Sequence, residues 1–121
     1  MTVSHLEATR NLIANVVVDQ LDSGGTLVFY QADGTTVVAT LDLDIPAFGA
    51  AAVGIAEAST ITSDPSAVGG TTTKAKLITT GAAQIIECSV GIGSGDIQLS
   101  DNVIAATDTV SISALTYEAA P

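Results

Sequence analysis

Aromatic residues are almost missing from this chain of 121 residues. They make up 3% of it, with no tryptophan, although 47% of the residues are hydrophobic. Alanine, valine, isoleucine and leucine must therefore fill the core, and each of these side chains buries less area than an aromatic ring. The length predicts one domain. We expect part of its apolar surface to be buried against other subunits.

Basic residues are scarce as well. The chain has three lysine and arginine residues and 13 aspartate and glutamate residues, which gives a formal net charge of -10 at pH 7. Nucleic acids and anionic membranes are bound through basic surfaces, so the composition argues against both as partners. It fits a soluble protein that does not adhere to DNA.

Long hydrophobic runs and secretion signals are also missing, despite a mean hydropathy of +0.51. The longest uncharged run lies between Asp44 and Glu57, contains one proline and two glycines, and is shorter than the roughly 20 residues that span a bilayer. The opening "MTVSHLEATR" has no basic segment followed by an apolar one, so we do not expect a signal peptide. Because Cys88 is the single cysteine, an intrachain disulfide is excluded, and we expect a protein that is not secreted by that route.

Residues 4–21 are predicted to form the helix of this chain. Ser4 and Glu7 have the spacing of a capping box, in which each side chain accepts a hydrogen bond from a backbone N–H of the first turn. The glycines of "DSGG", residues 22–25, predict its end. Apolar residues follow the helical period on one stripe, with two more beside it: Leu6, Ile13, Val17 and Leu21, then Leu12 and Val16.

After Gly25 the apolar pattern is that of β-strands. Residues 26–31 and 36–45 predict a hairpin around an Asp33-Gly34 turn. In the second strand we expect one face in the core and one increasingly polar face. The predicted core face is Val37, Ala39, Leu41, Leu43 and Ile45, and the other face is Val38, Thr40, Asp42 and Asp44.

The rest of the chain predicts further short strands and a mainly β fold. A strand runs to Ile61 after a loop, residues 63–70 form a loop, and a second hairpin has strands at 71–79 and 84–90. A short strand covers 96–100. In the last strand, 107–119, the apolar phase changes, which indicates a bulge or two buried faces. We predict an antiparallel β-sandwich or jelly-roll-like domain (residues 26–121) with one N-terminal α-helix and linker (residues 1–25).

The stretch "SVGIGSGDIQLS", residues 89–100, has the glycine content of a phosphate-binding loop. Gly91, Gly93 and Gly95 alternate, and Asp96 follows. A dinucleotide-binding loop requires a helix after the glycines, and a P-loop requires a Gly-Lys-Ser or Gly-Lys-Thr ending. Here the following residues alternate like a strand, and the stretch contains no lysine. We therefore predict a turn or bulge between strands, with Asp96 capping the turn.

Other reactive side chains also have structural interpretations. His5 is expected on the surface near the N-terminus, and Cys88 is expected in the core. Lys74 and Lys76 alternate along one strand. Either they face an acidic partner, or they lie on an edge strand and prevent unwanted strand pairing.

A cation site would have to be built from acids on the first hairpin. Asp42 and Asp44 project from one strand face and would need Asp33 or Glu57 as further ligands. Calcium takes six to eight oxygens, usually from a dedicated loop, and the sequence has no such loop, so we expect a solvated acidic face. No catalytic, cofactor or metal site is predicted, and the chain is not expected to be an enzyme.

Several segments resemble small virion-associated proteins of tailed bacteriophages and prophages. In order they are "LDSGG", "TLVFYQADGTTVVATLDLDIPAFGAA", "ITSDPSA" and "VGIGSGDIQLS", before a final strand rich in threonine, serine and valine. The sequence departs from that group at residues 77–84, where "LITTGAAQ" replaces an aromatic strand and an Asp-Gly turn.

The resemblance implies a non-enzymatic capsid decoration, or cement, protein without a cofactor. Such a protein is made in the host cytoplasm and binds the major capsid protein on the outer shell of the virion. It implies a homo-oligomer, with a trimer favoured. Binding several shell subunits at once would raise the cost of separating them.

The alternative function is a structural or receptor-binding module of a tail, neck or fibre. Glycan binding uses exposed aromatic rings, and Phe29, which shares the core face with Leu27, leaves few rings for such a site. A small enzyme with an unrecognised site is a third reading. Two arrangements are also open for the N-terminal helix, which either packs on its own domain or reaches a neighbouring subunit.

Overall fold

The computed structural model describes residues 6–92, 97–99, 101–112 and 115–118. Within these residues one α-helix is followed by a 3-10 turn and nine strands. The elements are α1 (Glu7–Val18), the 3-10 turn (Asp19–Leu21), β1 (Gly25–Tyr30), β2 (Val37–Asp42), β3 (Ile55–Glu57), β4 (Gly70–Thr71), β5 (Lys74–Thr79), β6 (Gln84–Gly91), β7 (Ile97–Gln98), β8 (Val103–Ile104) and β9 (Thr116–Glu118).

Most strand residues belong to one sheet with the order β2-β1-β5-β6-β7. Its first four strands are antiparallel, and both predicted hairpins, β1–β2 and β5–β6, are present. Strand β7 pairs with β6 in parallel, which departs from the all-antiparallel prediction. The chain is thus mainly β, with an antiparallel sheet and one N-terminal helix, and is arranged as a sandwich-like domain.

Two short strand pairs, β3–β9 and β4–β8, lie outside the main sheet. They are much shorter than the predicted strands that end at Ile61 and cover 107–119. In the described part of these two segments outside β3 and β9, strand pairing is limited to isolated bridges, such as Asp64 with Val110. Many residues in these segments are alanine, glycine or serine, which pack little side-chain surface along a strand.

The core lies on the face of the main sheet that carries Leu27, Phe29 and Leu41, all of them fully buried. Side chains from the helix, from β3 and from the 101–112 segment cover this face. Val38 also belongs to the core, although the alternation places it on the polar face. The register of β1 and β2 shifts next to Phe29, which pairs with Ala39. This bulge turns two consecutive residues of β2 toward the core.

Strand β2 also ends earlier than predicted. It stops at Asp42, and Ile45, which the alternation places in the core, is exposed. The Leu43 N–H donates to the Gly25 carbonyl oxygen (3.0 Å), so the chain still follows β1 up to Leu43. Beyond Leu43 the chain leaves the sheet, so the alternation no longer predicts which side chains are buried.

The helix packs on its own domain through a face that only partly coincides with the predicted stripe. Of the stripe, Leu21 is buried, Ile13 and Val17 are half-buried, and Leu6 is exposed. Ala14, Val18 and Leu21 are buried, whereas Leu12 and Val16 are exposed. The capping-box prediction is wrong because the helix begins at Glu7 after an extended Leu6, with no side-chain cap. Its end agrees with the prediction. Gly24 has φ +89°, and its N–H donates to the Leu21 carbonyl oxygen (2.8 Å).

Candidate interaction surface

The glycine-rich stretch joins two neighbouring strands. Gly91 is the last residue of β6, and β7 begins at Ile97 and runs parallel to β6. The Leu99 N–H donates to the Gly91 carbonyl oxygen (2.9 Å). A strand therefore follows the glycines, as predicted, in place of the helix that a dinucleotide-binding loop needs. The predictions for Gly93, Gly95, Asp96 and His5 lie outside the described residues.

The candidate ligand and nucleophile side chains lie apart from one another. Cys88 is half-buried and packs against the core. Asp42, Asp44 and Glu57 are exposed. Within the described part of the chain, no three His, Cys, Asp or Glu side chains lie close enough to hold a metal ion.

Asp33 organises the turn between β1 and β2. Its Oδ1 atom accepts hydrogen bonds from the backbone N–H groups of Thr35 (3.0 Å) and Thr36 (2.9 Å), and the Thr36 hydroxyl donates to Oδ2. These bonds, first of all those from Thr36, hold the pKa of Asp33 well below its ordinary value. Hydrogen bonds to a carboxylate favour its charged form. Asp33 therefore stabilises the turn in which it lies.

Asp33→Asn should lower the melting temperature at pH 7, because the amide oxygen accepts the two backbone hydrogen bonds more weakly than the carboxylate and the amide NH2 group cannot accept the one from the Thr36 hydroxyl. The folded-state pKa is depressed, so the stabilisation by Asp33 is complete above the ordinary aspartate pKa of 3.8 and is lost as the pH falls below it. The difference between variant and wild type should therefore shrink in thermal melts from pH 7 down to pH about 2. Asp42→Asn, at an exposed carboxylate, is the control. A difference that stays constant with pH would contradict the prediction.

Lys74 and Lys76 do not lie on an edge strand, so that interpretation is wrong. They belong to β5, the middle strand of the five-stranded sheet. Lys76 pairs across β5–β6 with Glu87. The edge prediction failed because alternating lysines indicate an exposed strand face, whereas the position of a strand in the sheet depends on long-range pairing.

Lys76 is a buried structural lysine. Only 9% of the residue is exposed, and its Nζ atom donates to the Gly34 carbonyl oxygen (3.0 Å). The ammonium lies 5.0 Å from the centre of the Tyr30 ring and 3.8 Å from Glu87 Oε2. A Cβ on Gly34, which has φ +70°, would stand 3.9 Å from Nζ of both Lys74 and Lys76. The β1–β2 turn is thus fastened to the sheet by Lys76.

Lys76→Met should destabilise the protein by about 1–3 kcal/mol, because the buried Gly34 carbonyl loses its hydrogen-bond donor. Lys74→Met is the matched control, since Lys74 lies on the same face of the same strand and its Nζ atom forms no ion pair or hydrogen bond among the described residues. Urea denaturation of both variants measures the difference. Equal midpoints for the two variants would show that the Gly34 bond contributes nothing.

The four aromatic rings do not form a stacking surface. Phe29, Tyr30 and Phe48 are buried, and Tyr117 is half-buried. Carbohydrate sites commonly stack a sugar on an exposed ring. The aromatic residues therefore contribute to the core, and this counts against the glycan-binding alternative.

The helix is fastened to a tight turn at residues 52–55 by two asparagines one helical turn apart. Asn11 Oδ1 accepts a hydrogen bond from the Gly54 N–H (2.7 Å), and Asn15 Oδ1 accepts one from the Ala51 N–H (2.9 Å). The apolar pattern of the sequence does not single out these asparagines. Two asparagines at i and i+4 are poor helix formers on the same side of a helix, and this is the signal that could have identified them.

Arg10 completes this junction between helix and turn. Its Nη2 atom lies 3.1 Å from Glu118 Oε1 on β9, and Ile55 of β3 pairs with Glu118. A Cβ on Gly54 would stand 2.8 Å from the Arg10 guanidinium carbon. The arginine could move aside, but Gly54 has φ +75°, and this left-handed conformation favours glycine at the turn. The side chain of Arg10 is 20% exposed.

Three apolar side chains are exposed on α1 and at the tip of this turn, and we call them the α1–turn patch: Leu12, Val16 and Val53. They are 65%, 69% and 61% exposed. Leu12 and Val16 each follow one of the two asparagines, so they form the next row around the helix. Val53 forms the tip of the turn, next to Gly54, and has φ +53°. A β-branched residue in the left-handed region is strained.

No protein-family model, no curated protein and no solved structure matches this chain. Within the described residues, no helix has the length and apolar content needed to span a membrane. The function of this protein is therefore inferred from the chain's own residues.

Proposed function

We propose that this protein is a non-enzymatic capsid decoration protein of a tailed bacteriophage, which binds the outer shell and stabilises it. The observation that carries the proposal is the α1–turn patch. Single exposed apolar side chains are ordinary, but Leu12 and Val16 are both exposed one helical turn apart on α1, and Val53 is exposed in a strained conformation at the tip of the turn that α1 contacts. Exposed apolar side chains on neighbouring elements favour a contact with another protein.

The positions of the reactive side chains also support a structural role. Asp33 accepts hydrogen bonds within its turn, Cys88 packs on the core, and Lys76 fastens the turn to the sheet. Each of them has an interaction that stabilises the fold. The segments that resemble virion proteins cover most of the chain. This resemblance is the reason for proposing the phage capsid as the partner.

The proposed mechanism is mechanical. A trimer would present three copies of the patch, so that one decoration unit contacts several shell subunits at once. Once the first contact has formed, each further contact is intramolecular and adds binding free energy without a new diffusional encounter. Because the unit binds the assembled shell and not the separated subunits, it shifts the equilibrium toward the shell.

The test is to locate the chain in purified particles of its source. Mass spectrometry should detect it, and cryo-electron microscopy should show it on the outer shell. Particles from which its gene has been deleted should release DNA at a lower temperature, and adding the purified protein should reverse this change. Absence of the chain from the shell, or its presence only in the tail, would exclude the proposal.

A further inference from the structure

The β1–β2 turn contains a pair of residues that can react with each other. Asp33 and Gly34 form the single Asp-Gly pair of the sequence, which has no Asn-Gly pair. In such a pair the backbone nitrogen of the glycine can attack Cγ of the aspartic acid, because glycine has no side chain to hinder the approach. A nitrogen–Cγ bond forms and one water molecule leaves, which gives a five-membered succinimide ring. Water then opens the ring. When it breaks the bond between the aspartate backbone carbonyl carbon and the glycine nitrogen, the product is isoaspartate, in which Cβ and Cγ belong to the backbone.

The folded turn holds both reacting groups in other interactions. The Gly34 N–H donates to the Gln31 carbonyl oxygen (2.9 Å), and Gly34 is buried, so a base cannot easily remove the amide proton. The Asp33 carboxylate accepts three hydrogen bonds, from the N–H groups of Thr35 and Thr36 and from the Thr36 hydroxyl. These bonds favour the ionised carboxylate, whereas the neutral acid is the form that releases water in the ring closure.

We infer that Asp33-Gly34 is a latent self-modification site, at which isoaspartate forms only when the β1–β2 turn opens. Opening breaks the bonds to the Asp33 carboxylate, the bond from Gly34 to Gln31, and the bond from Lys76 Nζ to the Gly34 carbonyl oxygen (3.0 Å). The rate of such a reaction is the rate in the open chain multiplied by the fraction of molecules that are open. Thr36 and Lys76 therefore protect the pair. The inference requires no partner and does not depend on the proposed function.

Once formed, isoaspartate would prevent the turn from closing as before. It lengthens the backbone by one methylene and moves the carboxylate onto Cα, so the N–H groups of Thr35 and Thr36 lose their acceptor. The Gly34 carbonyl is displaced from Lys76 as well. A buried ammonium that loses its hydrogen-bond partner destabilises the fold. The modification thus turns a transient opening into a permanent one.

The test is the rate of isoaspartate formation in the purified full chain, kept at a constant temperature and a mildly acidic pH. Peptide mapping by chromatography separates the isoaspartyl from the aspartyl form of the peptide that contains residues 33 and 34. The reference is the same chain unfolded in guanidinium chloride, which gives the rate in the open state. The folded wild type should react at least about tenfold more slowly than this reference. Equal rates would overturn the inference.

Thr36→Val removes the hydroxyl that donates to Asp33 Oδ2 and should raise the rate in the folded protein about threefold to tenfold. The matched control is Thr40→Val, the same substitution at an exposed residue of β2 in the same hairpin, which should react like wild type. Each rate is divided by that of the same variant unfolded, so differences in intrinsic reactivity cancel. Melting curves show that each variant is folded during the incubation, so the increase reports opening of the turn. Equal rates for Thr36→Val and Thr40→Val would overturn the inference.

Discussion

Gly25→Ala should destabilise the fold by about 2–5 kcal/mol, from backbone strain together with overpacking. Gly25 opens β1 with φ +150°, a conformation that residues with a side chain rarely adopt. A Cβ at this position would collide with the carbonyl oxygen of Ile78 and would lie 3.2 Å from Leu21 Cδ2. Because Ile78 belongs to the neighbouring strand β5, the collision can be relieved only by separating β1 from β5.

The measurement is the free energy of unfolding from urea denaturation. Gly81→Ala is the matched control, since a Cβ there would meet only Thr79 Oγ1, at the ordinary distance of 3.7 Å. That exposed substitution should change stability by no more than about 0.5 kcal/mol. If the two variants unfold at the same urea concentration, β1 and β5 do not approach each other at Gly25 as closely as the structure shows.

Phe29→Ala should cost about 3–5 kcal/mol, the usual range for removing a buried aromatic ring. Phe29 is the largest fully buried side chain of the described residues. Its partners across the two neighbouring strands are both alanines, Ala39 on β2 and Ala75 on β5. The single ring fills the space above two small residues, and alanine side chains cannot move to fill the cavity that its removal would leave.

Phe29→Leu, which keeps most of the volume, should lose much less stability than Phe29→Ala in the same urea experiment. The difference between the two variants measures the effect of the cavity. A loss below about 1 kcal/mol for Phe29→Ala would mean that the core rearranges around the missing ring. That outcome would contradict the close packing of the ring against Ala39 and Ala75.

Local patterns in the sequence predicted several elements because they depend on neighbouring residues. The two hairpins follow from strand-forming runs separated by turn residues, and the helix ends at the glycines of residues 22–25 because Gly24 takes a left-handed conformation. The turn at Asp33 and Gly34 is present as well, although it extends over residues 31–36. Each of these features is decided by backbone geometry within a few residues.

The predictions that failed concern which face of an element is buried. The helical stripe correctly placed Leu21 in the core, but Leu6 is exposed and Val17 is only half-buried. Ala14 and Val18 are buried in their place. The two asparagines explain the difference, because their hydrogen bonds to residues 51 and 54 set the rotation of the helix. Contacts between residues this far apart in the chain do not show in the spacing of apolar residues along the helix, so that spacing cannot predict them.

By itself, the amino-acid sequence determined that this is a mainly β protein with one N-terminal helix, strongly acidic, with a core of small side chains. Composition, alternation and turn residues decide these properties because they act locally or over the whole chain. Only the tertiary structure decided that β5 is central, that Lys76 is buried under the β1–β2 turn, and that α1 meets the turn at residues 52–55 through its two asparagines. These features require residues distant in the chain to meet, and the order in which strands pair depends on packing over the whole domain.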